Sequence, residues 1–155
     1  MSFRITGLSP EPFRPLFGLS ETELKTQNVL RMVVDDHPGY PDRITLREVP
    51  VGETVLLVNH VSMPEPTPYR ASHAIFIWEG ASERYDAIGA VPEVMRRRLL
   101  SLRGFDEGGL LLEADVVEGA GIETVISRLF ANPSIATIHV HNAKQGCFSG
   151  RIERA

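Results

Sequence analysis

The chain has 155 residues, a length that suits one domain able to bury a core of its own. With 43% hydrophobic and 23% charged residues it has the composition of an ordinary globular protein, which excludes a disordered tail, a fibrous repeat and a disulfide-stapled miniprotein. Sixteen Lys plus Arg against twenty Asp plus Glu leave a net charge of −4, so a nucleic-acid partner is not expected.

The longest apolar runs, Val55–Val58 and Leu110–Leu112, fall far short of the ~20 residues that span a bilayer, so no membrane partner is expected either. The single cysteine, Cys147, allows no intrachain disulfide, and Met1–Gly7 lacks the apolar stretch of a secretory signal. A cytoplasmic location is the expectation.

In chain order, Phe3–Thr6 suits a first strand and Glu11–Leu19 a short helical turn. Ser20 caps a helix, with Glu23 three residues on to complete a capping box. Val29–Asp35 reads as a strand and His37-Pro38-Gly39-Tyr40-Pro41 as a turn cluster. Arg43–Val49 sets Ile44 and Leu46 against polar neighbours, which predicts a half-buried strand. Strands follow at Thr54–His60 and Ser72–Glu79, on either side of the rigid loop Met63-Pro64-Glu65-Pro66-Thr67-Pro68.

Pro92 at a first helical position, with Val94, Met95, Leu99 and Leu102 on one face, predicts a helix over Pro92–Leu100. Leu110–Val117 reads as a strand. A second main helix is predicted over Ile122–Phe130, with Ile122, Val125, Ile126 and Leu129 inward and Pro133 beyond its end. Ile135–Asn142 and Cys147–Glu153 form a hairpin through Ala143-Lys144-Gln145-Gly146. These elements predict a single α+β domain over residues 1–155, with a mixed, mainly antiparallel sheet and two or three helices.

The common catalytic signatures are absent: the chain has no Walker loop, no Gly-x-Ser-x-Gly elbow and no Cys-x-x-Cys pair. Gly119-Ala120-Gly121 opens a helix after a strand, but Thr124 stands where a dinucleotide loop has its third small residue, so a plain tight turn is the reading. Arg96-Arg97-Arg98 on a helix would spread over about 200°, a solvated face rather than one clamp.

His139 and His141 point to one side of their strand, where His73 or His60 could join them. A His-x-His pair without a carboxylate or cysteine at ligand spacing does not define a metal site, so no metal ligand is assigned and a histidine metal site stands as an alternative. The hairpin register sets Asn142 opposite Cys147 and His141 opposite Phe148. Cys147 is therefore expected on the Val140 side, away from the histidines, as a buried and unreactive thiol, the alternative being a bulge that turns it to His141 as a thiol nucleophile.

The segment Thr67-Pro68-Tyr69-Arg70-Ala71-Ser72-His73 concentrates Tyr, Arg, Ser and His between a rigid loop and a strand. Arg70 suits a carboxylate or phosphate, and His73 a proton near neutral pH.

Four strings carry a family resemblance: Phe3-Arg4-Ile5; Pro38-Gly39-Tyr40-Pro41 with Arg43; Pro68-Tyr69-Arg70-Ala71-Ser72-His73-Ala74-Ile75-Phe76; and His141-Asn142-Ala143-Lys144 with Gly146-Cys147, Arg151 and Glu153. Through them the chain resembles a bacterial family known as a domain of unknown function, number 1203 in its series. The resemblance implies one compact domain and marks Tyr69, Arg70, His73, His141 and Asn142 as family-typical positions. It implies no reaction, cofactor or partner. The family's Gly-Tyr-Pro string is associated with a following cysteine, where this chain has Asp42, so thiol chemistry at that position is closed to it.

The functional expectation is a small-molecule binding protein or enzyme whose site lies where Tyr69–His73 meets His141–Lys144. Tyr69, Arg70, Asn142 and Lys144 would hold a small anionic ligand, and His73 and His141 would carry protons. The two segments would meet because the strands Ser72–Glu79 and Ile135–Asn142 pair. The alternative is a non-catalytic interaction module that forms a homodimer through strand edges. The identity of any cofactor is left open by the sequence.

Overall fold

The computed structural model describes residues 2–155. Strand β1 (Phe3–Thr6) leads through a 3-10 turn at Arg14–Leu16 into helix α1 (Glu21–Lys25) and strand β2 (Leu30–Val33). A long connection reaches β3 (Thr54–Met63) and β4 (Ala71–Trp78), then β5 (Asp86–Ile88) and α2 (Glu93–Arg96). Strands β6 (Leu99–Phe105) and β7 (Leu111–Glu118), helix α3 (Ile122–Phe130), and strands β8 (Thr137–Asn142) and β9 (Phe148–Arg154) complete the order.

The strands form two antiparallel sheets, one of order β5-β1-β9-β8-β6-β7 and one of order β2-β3-β4. Together with the helices they make an α+β fold. Helix α3 lays Ile122, Val125, Ile126 and Leu129 against Leu100, Leu102, Ile138, Val140 and Ile152 on one face of the larger sheet. Burial of each such side chain contributes roughly 2 kcal/mol. The opposite face of that sheet carries His139, His141 and Phe148 and meets the smaller sheet, where His60 and His73 are directly paired across β3 and β4.

Several sequence expectations stand in the structure. The capping box at Ser20 and Glu23 is formed in both directions, and α3 occupies the predicted Ile122–Phe130. Three expectations are corrected. The predicted helix over Pro92–Leu100 is one turn, Glu93–Arg96, and Leu99 and Leu100 begin β6. Leu100 and Leu102 alternate inward as strand residues there, a period that Val94 and Met95 had merged into a helical face.

Arg43–Val49 is a folded loop rather than a strand. The Asp42 side chain accepts hydrogen bonds from Thr45 N at 2.6 Å and Thr45 Oγ1 at 2.7 Å, and Leu46 takes a left-handed backbone with φ 52°. Ile44 and Leu46 are both buried, but they enter two different cores. The apolar alternation reports a turn that feeds two cores. Finally, β4 and β8 do not pair, and one mixed sheet is replaced by two sheets facing each other.

Gly119 is a packing glycine. A Cβ built on it would lie 1.8 Å from the Met95 carbonyl oxygen and 2.7 Å from that of Arg96. Gly119→Ala is expected to destabilise the fold by about 3 kcal/mol, since backbone on both sides must move. A urea midpoint compared with that of Gly121→Ala, whose Cβ meets only Val117 at 3.8 Å, checks this.

Candidate functional site

The β8–β9 hairpin and the loop before β3 enclose a cavity of about 330 Å³. Arg43, Asn142 and Cys147 line its wall, and Arg97, Arg98 and Lys144 stand around it. Arg43 is 2% exposed. Its Nε donates to Phe148 O at 2.8 Å, Nη1 to Pro41 O at 2.5 Å and Nη2 to Cys147 Sγ at 3.1 Å.

Among the described residues no carboxylate lies within 4.0 Å of the Arg43 guanidinium. Burial pushes its pKa down from the ordinary value, partly offset by Cys147 and Asp42. Asp42 is the nearest acid in sequence, but its oxygens accept from Thr45 and from Trp78 N at 2.8 Å, which turns the carboxylate to the loop. Lys144 is exposed and likewise has no carboxylate in contact among the described residues. Arg97 pairs with Glu93, and Arg98 with Glu48.

Asn142 is 4% exposed; its Nδ2 donates to Cys147 Sγ at 3.6 Å, and its Oδ1 has no partner. An orphaned buried oxygen beside an unpaired buried cation is costly to maintain without a ligand.

A second, smaller crevice of about 150 Å³ lies between the two sheets, lined by Tyr69, Arg103, His139 and His141 among others. The His73 and His141 rings meet edge to face at 4.9 Å between centroids. His141 Nδ1 donates to Gly146 O at 2.9 Å, which fixes the tautomer and leaves Nε2 as an acceptor. Burial first, then nearby arginine charge, holds His139 down at about 4. Burial likewise holds His141 at about 3 against the pull of its Gly146 hydrogen bond. His73 is lowered by burial and by Arg103, and His60 by burial and by His73. Four of the five histidines thus form a neutral cluster at pH 7. Among the described residues no three His, Cys, Asp or Glu are grouped to hold a metal ion.

The expected single cleft is therefore two places. Tyr69 and His141 line the crevice between the sheets, where His141 also meets His73, whereas Asn142 and Lys144 belong to the cationic cavity. His141 and Asn142 are successive residues of β8 and project from opposite faces, so one cleft cannot take both. Arg70 lines neither; its guanidinium donates to Pro64 O within its own loop.

Two further readings are corrected. Cys147 keeps the expected register opposite Asn142, but it is half-buried and lines the cavity rather than filling the core. Arg97 and Arg98 are not a uniform solvated face. Helix α2 ends at Arg96, so helical spacing no longer applies, and both turn to the cavity while Arg96 pairs with Glu123 elsewhere. Arg43 was missed as a site residue. Its only sequence signal is its place beside Pro38-Gly39-Tyr40-Pro41, one of the strings that carry the resemblance.

Two antiparallel sheets with a buried arginine, free of carboxylate contacts among the described residues, at the wall of a cavity define an α+β protein. Residues 39–154 match the model of the family described as protein of unknown function (DUF1203), and the chain belongs to that family. No curated protein and no solved structure matches the chain. No helix among the described residues is long and apolar enough to cross a membrane.

The histidine cluster sets an acid limit on stability. Below its ordinary pKa near 6.5 each buried histidine binds a proton in the unfolded chain but not in the fold, so stability is fully present above pH 6.5 and is lost as pH falls. Over the window from pH 6.5 to 4.5, His139 and His141 are each expected to remove up to about 1.4 kcal/mol per pH unit. Urea midpoints across that window check this, and His139→Asn is expected to lower the slope by the share of one histidine, up to about 1.4 kcal/mol per pH unit.

Proposed function

We propose that the protein binds a small anionic molecule carrying a carboxylate or phosphate group in the cavity lined by Arg43, Asn142, Lys144 and Cys147. The observation that carries this reading is Arg43, 2% exposed at the cavity wall with no carboxylate in contact among the described residues. A buried charge without a counter-ion costs several kcal/mol, and an anion in the cavity offsets that cost. The guanidinium presents planar donors suited to carboxylate or phosphate, Lys144 adds a mobile positive charge at the rim, and Asn142 Oδ1 accepts from a hydroxyl or amide of the bound molecule. Although the overall charge is −4, the low-dielectric walls around the arginine and lysine charges focus positive potential in the cavity.

The ligand assignment shifts accordingly. Asn142 and Lys144 keep a binding role, whereas His73 and His141 do not line this cavity. A proton-carrying role for them belongs to the crevice with Tyr69, where their depressed pKa values make them acceptors at neutral pH. The setting we infer is a bacterial cytoplasm, where a single cysteine remains a free thiol.

A second reading, a homodimerising module, is favoured by β7, the outer strand of the larger sheet, which exposes Leu112 and Val116. Sedimentation equilibrium separates it: a chain that stays monomeric removes that reading.

Titration with inorganic phosphate at constant ionic strength, followed by amide chemical shifts, tests the anion site. Saturable shifts at Asn142–Cys147 and at Arg43 are expected. Phosphate at a hundred times its Kd is expected to stabilise the fold by about 2.7 kcal/mol. Lys144→Ala is expected to weaken binding about fivefold, through loss of one exposed charge near the anion. The absence of any saturable shift at these residues, with phosphate and with acetate, would overturn the reading.

A further inference from the structure

We propose that Cys147 is the nucleophile of the cationic cavity, and that its electrophile is a small molecule whose reacting carbon lies next to a carboxylate or phosphate group. This rests on the anion-binding reading above and deepens it.

The sulfur is half-buried in the cavity wall rather than enclosed, so a small molecule has access to it. Two side chains of the cavity donate to it: Arg43 Nη2 at 3.1 Å and Asn142 Nδ2 at 3.6 Å. Reactive cysteines occupy electropositive, partly exposed places of this kind, whereas structural thiols are packed in apolar ones.

An independent observation points to a ligand at the same spot. Asn142 is 4% exposed and lines the cavity, yet its Oδ1 has no partner. The amide that touches the sulfur with one end therefore leaves its other end for a bound molecule.

The lining also restricts the chemistry. It contains no histidine, carboxylate or hydroxyl side chain, so no general base stands beside the sulfur. The cavity suits attack by the Cys147 sulfur, held by one arginine and one amide donor, on carbon, by substitution or addition, and not base-assisted hydrolysis. The anionic group of the substrate supplies the counter-charge that Arg43 lacks, with Lys144 closing over it, which brings the adjacent carbon over Sγ.

Iodoacetate is the minimal probe of this geometry. Cys147 sulfur attacks its methylene carbon, the C–S bond forms, the C–I bond breaks, iodide leaves, and the thiol proton passes to solvent. An ordinary exposed thiol reacts faster with neutral iodoacetamide than with iodoacetate. In the native protein at neutral pH the order is expected to reverse, by about tenfold, because the cationic cavity concentrates the anionic reagent.

The experiment follows carboxymethylation of Cys147 by mass spectrometry against iodoacetate concentration, with and without inorganic phosphate. Expected are a rate that saturates, protection by phosphate, and single labelling that Cys147→Ser abolishes. Lys144→Ala and Arg97→Ala, both exposed and free of core packing, are expected to lower the iodoacetate rate more than the iodoacetamide rate. Faster reaction with iodoacetamide, or a rate linear in iodoacetate, overturns the proposal. If phosphate shifts the amides at Asn142–Cys147 while the thiol shows no preference for the anionic reagent, the nucleophile fails and the anion site stands. If neither phosphate binds nor iodoacetate is preferred, both fail.

Discussion

The structure turns on one buried cation. Arg43 sits in the long connection between β2 and β3, and its side chain reaches Phe148 O at the start of β9 and Cys147 Sγ just before it. Its backbone extends the same bridge: Arg43 N donates to Phe76 O on β4, and Arg43 O accepts from Leu8 N after β1. One residue thus ties both sheets and the N-terminal segment. Burying a guanidinium is expensive, and hydrogen bonds to two carbonyls recover only part of the cost. A residue maintained under those terms either specifies how the sheets pack or serves what enters the cavity beside it. Under the proposed function the same side chain does both, because the cavity lies where the sheets are tied.

Asp42 shows why the neighbouring position matters. It is fully buried, and its carboxylate holds Thr45 and Trp78. By closing the loop locally it sets Arg43 facing the hairpin without neutralising it. At Asp42 the position supports the loop, and the chain's single thiol, Cys147, lies across the cavity.

Local signals were legible in the sequence and non-local ones were not. Helix α3 could be read to the residue because its apolar spacing, the start at Ile122 and Pro133 beyond its end all agree. The turn end of the β8–β9 register was legible for the same reason, since a four-residue loop closed at Gly146, φ 77°, sets Asn142 against Cys147 and His141 against Phe148, but the bulge that moves Val140 on to Gly150 left no sequence signal. Arg43–Val49 misled because a turn that sends Ile44 and Leu46 to two cores mimics strand alternation. The placing of β4 and β8 in different sheets was beyond reach, since strand neighbours far apart in the chain leave no periodic trace. The exposure of Cys147 was hidden likewise: its own strand indicates which face it takes, but a loop a hundred residues away decides whether that face is core or cavity.

Strand β8 accounts for the division of chemistry. All six of its residues are buried, yet its two faces meet different surroundings. His139 and His141 enter the gap between sheets, among Phe105, Phe148 and His73, where desolvation keeps imidazoles neutral. At the end of the strand, on the other side, Asn142 turns toward Arg43 and Cys147, where the charge is positive and uncompensated. A strand reverses its side chains at every residue, so two adjacent polar positions about 3.3 Å apart along the strand serve opposite electrostatic environments. The polar run His141–Lys144 is therefore not one site spelled out in sequence. It is the seam between a neutral histidine cluster in the gap between the sheets and a cavity lined by arginine and lysine, and a substitution at either residue acts on its own side of the sheet.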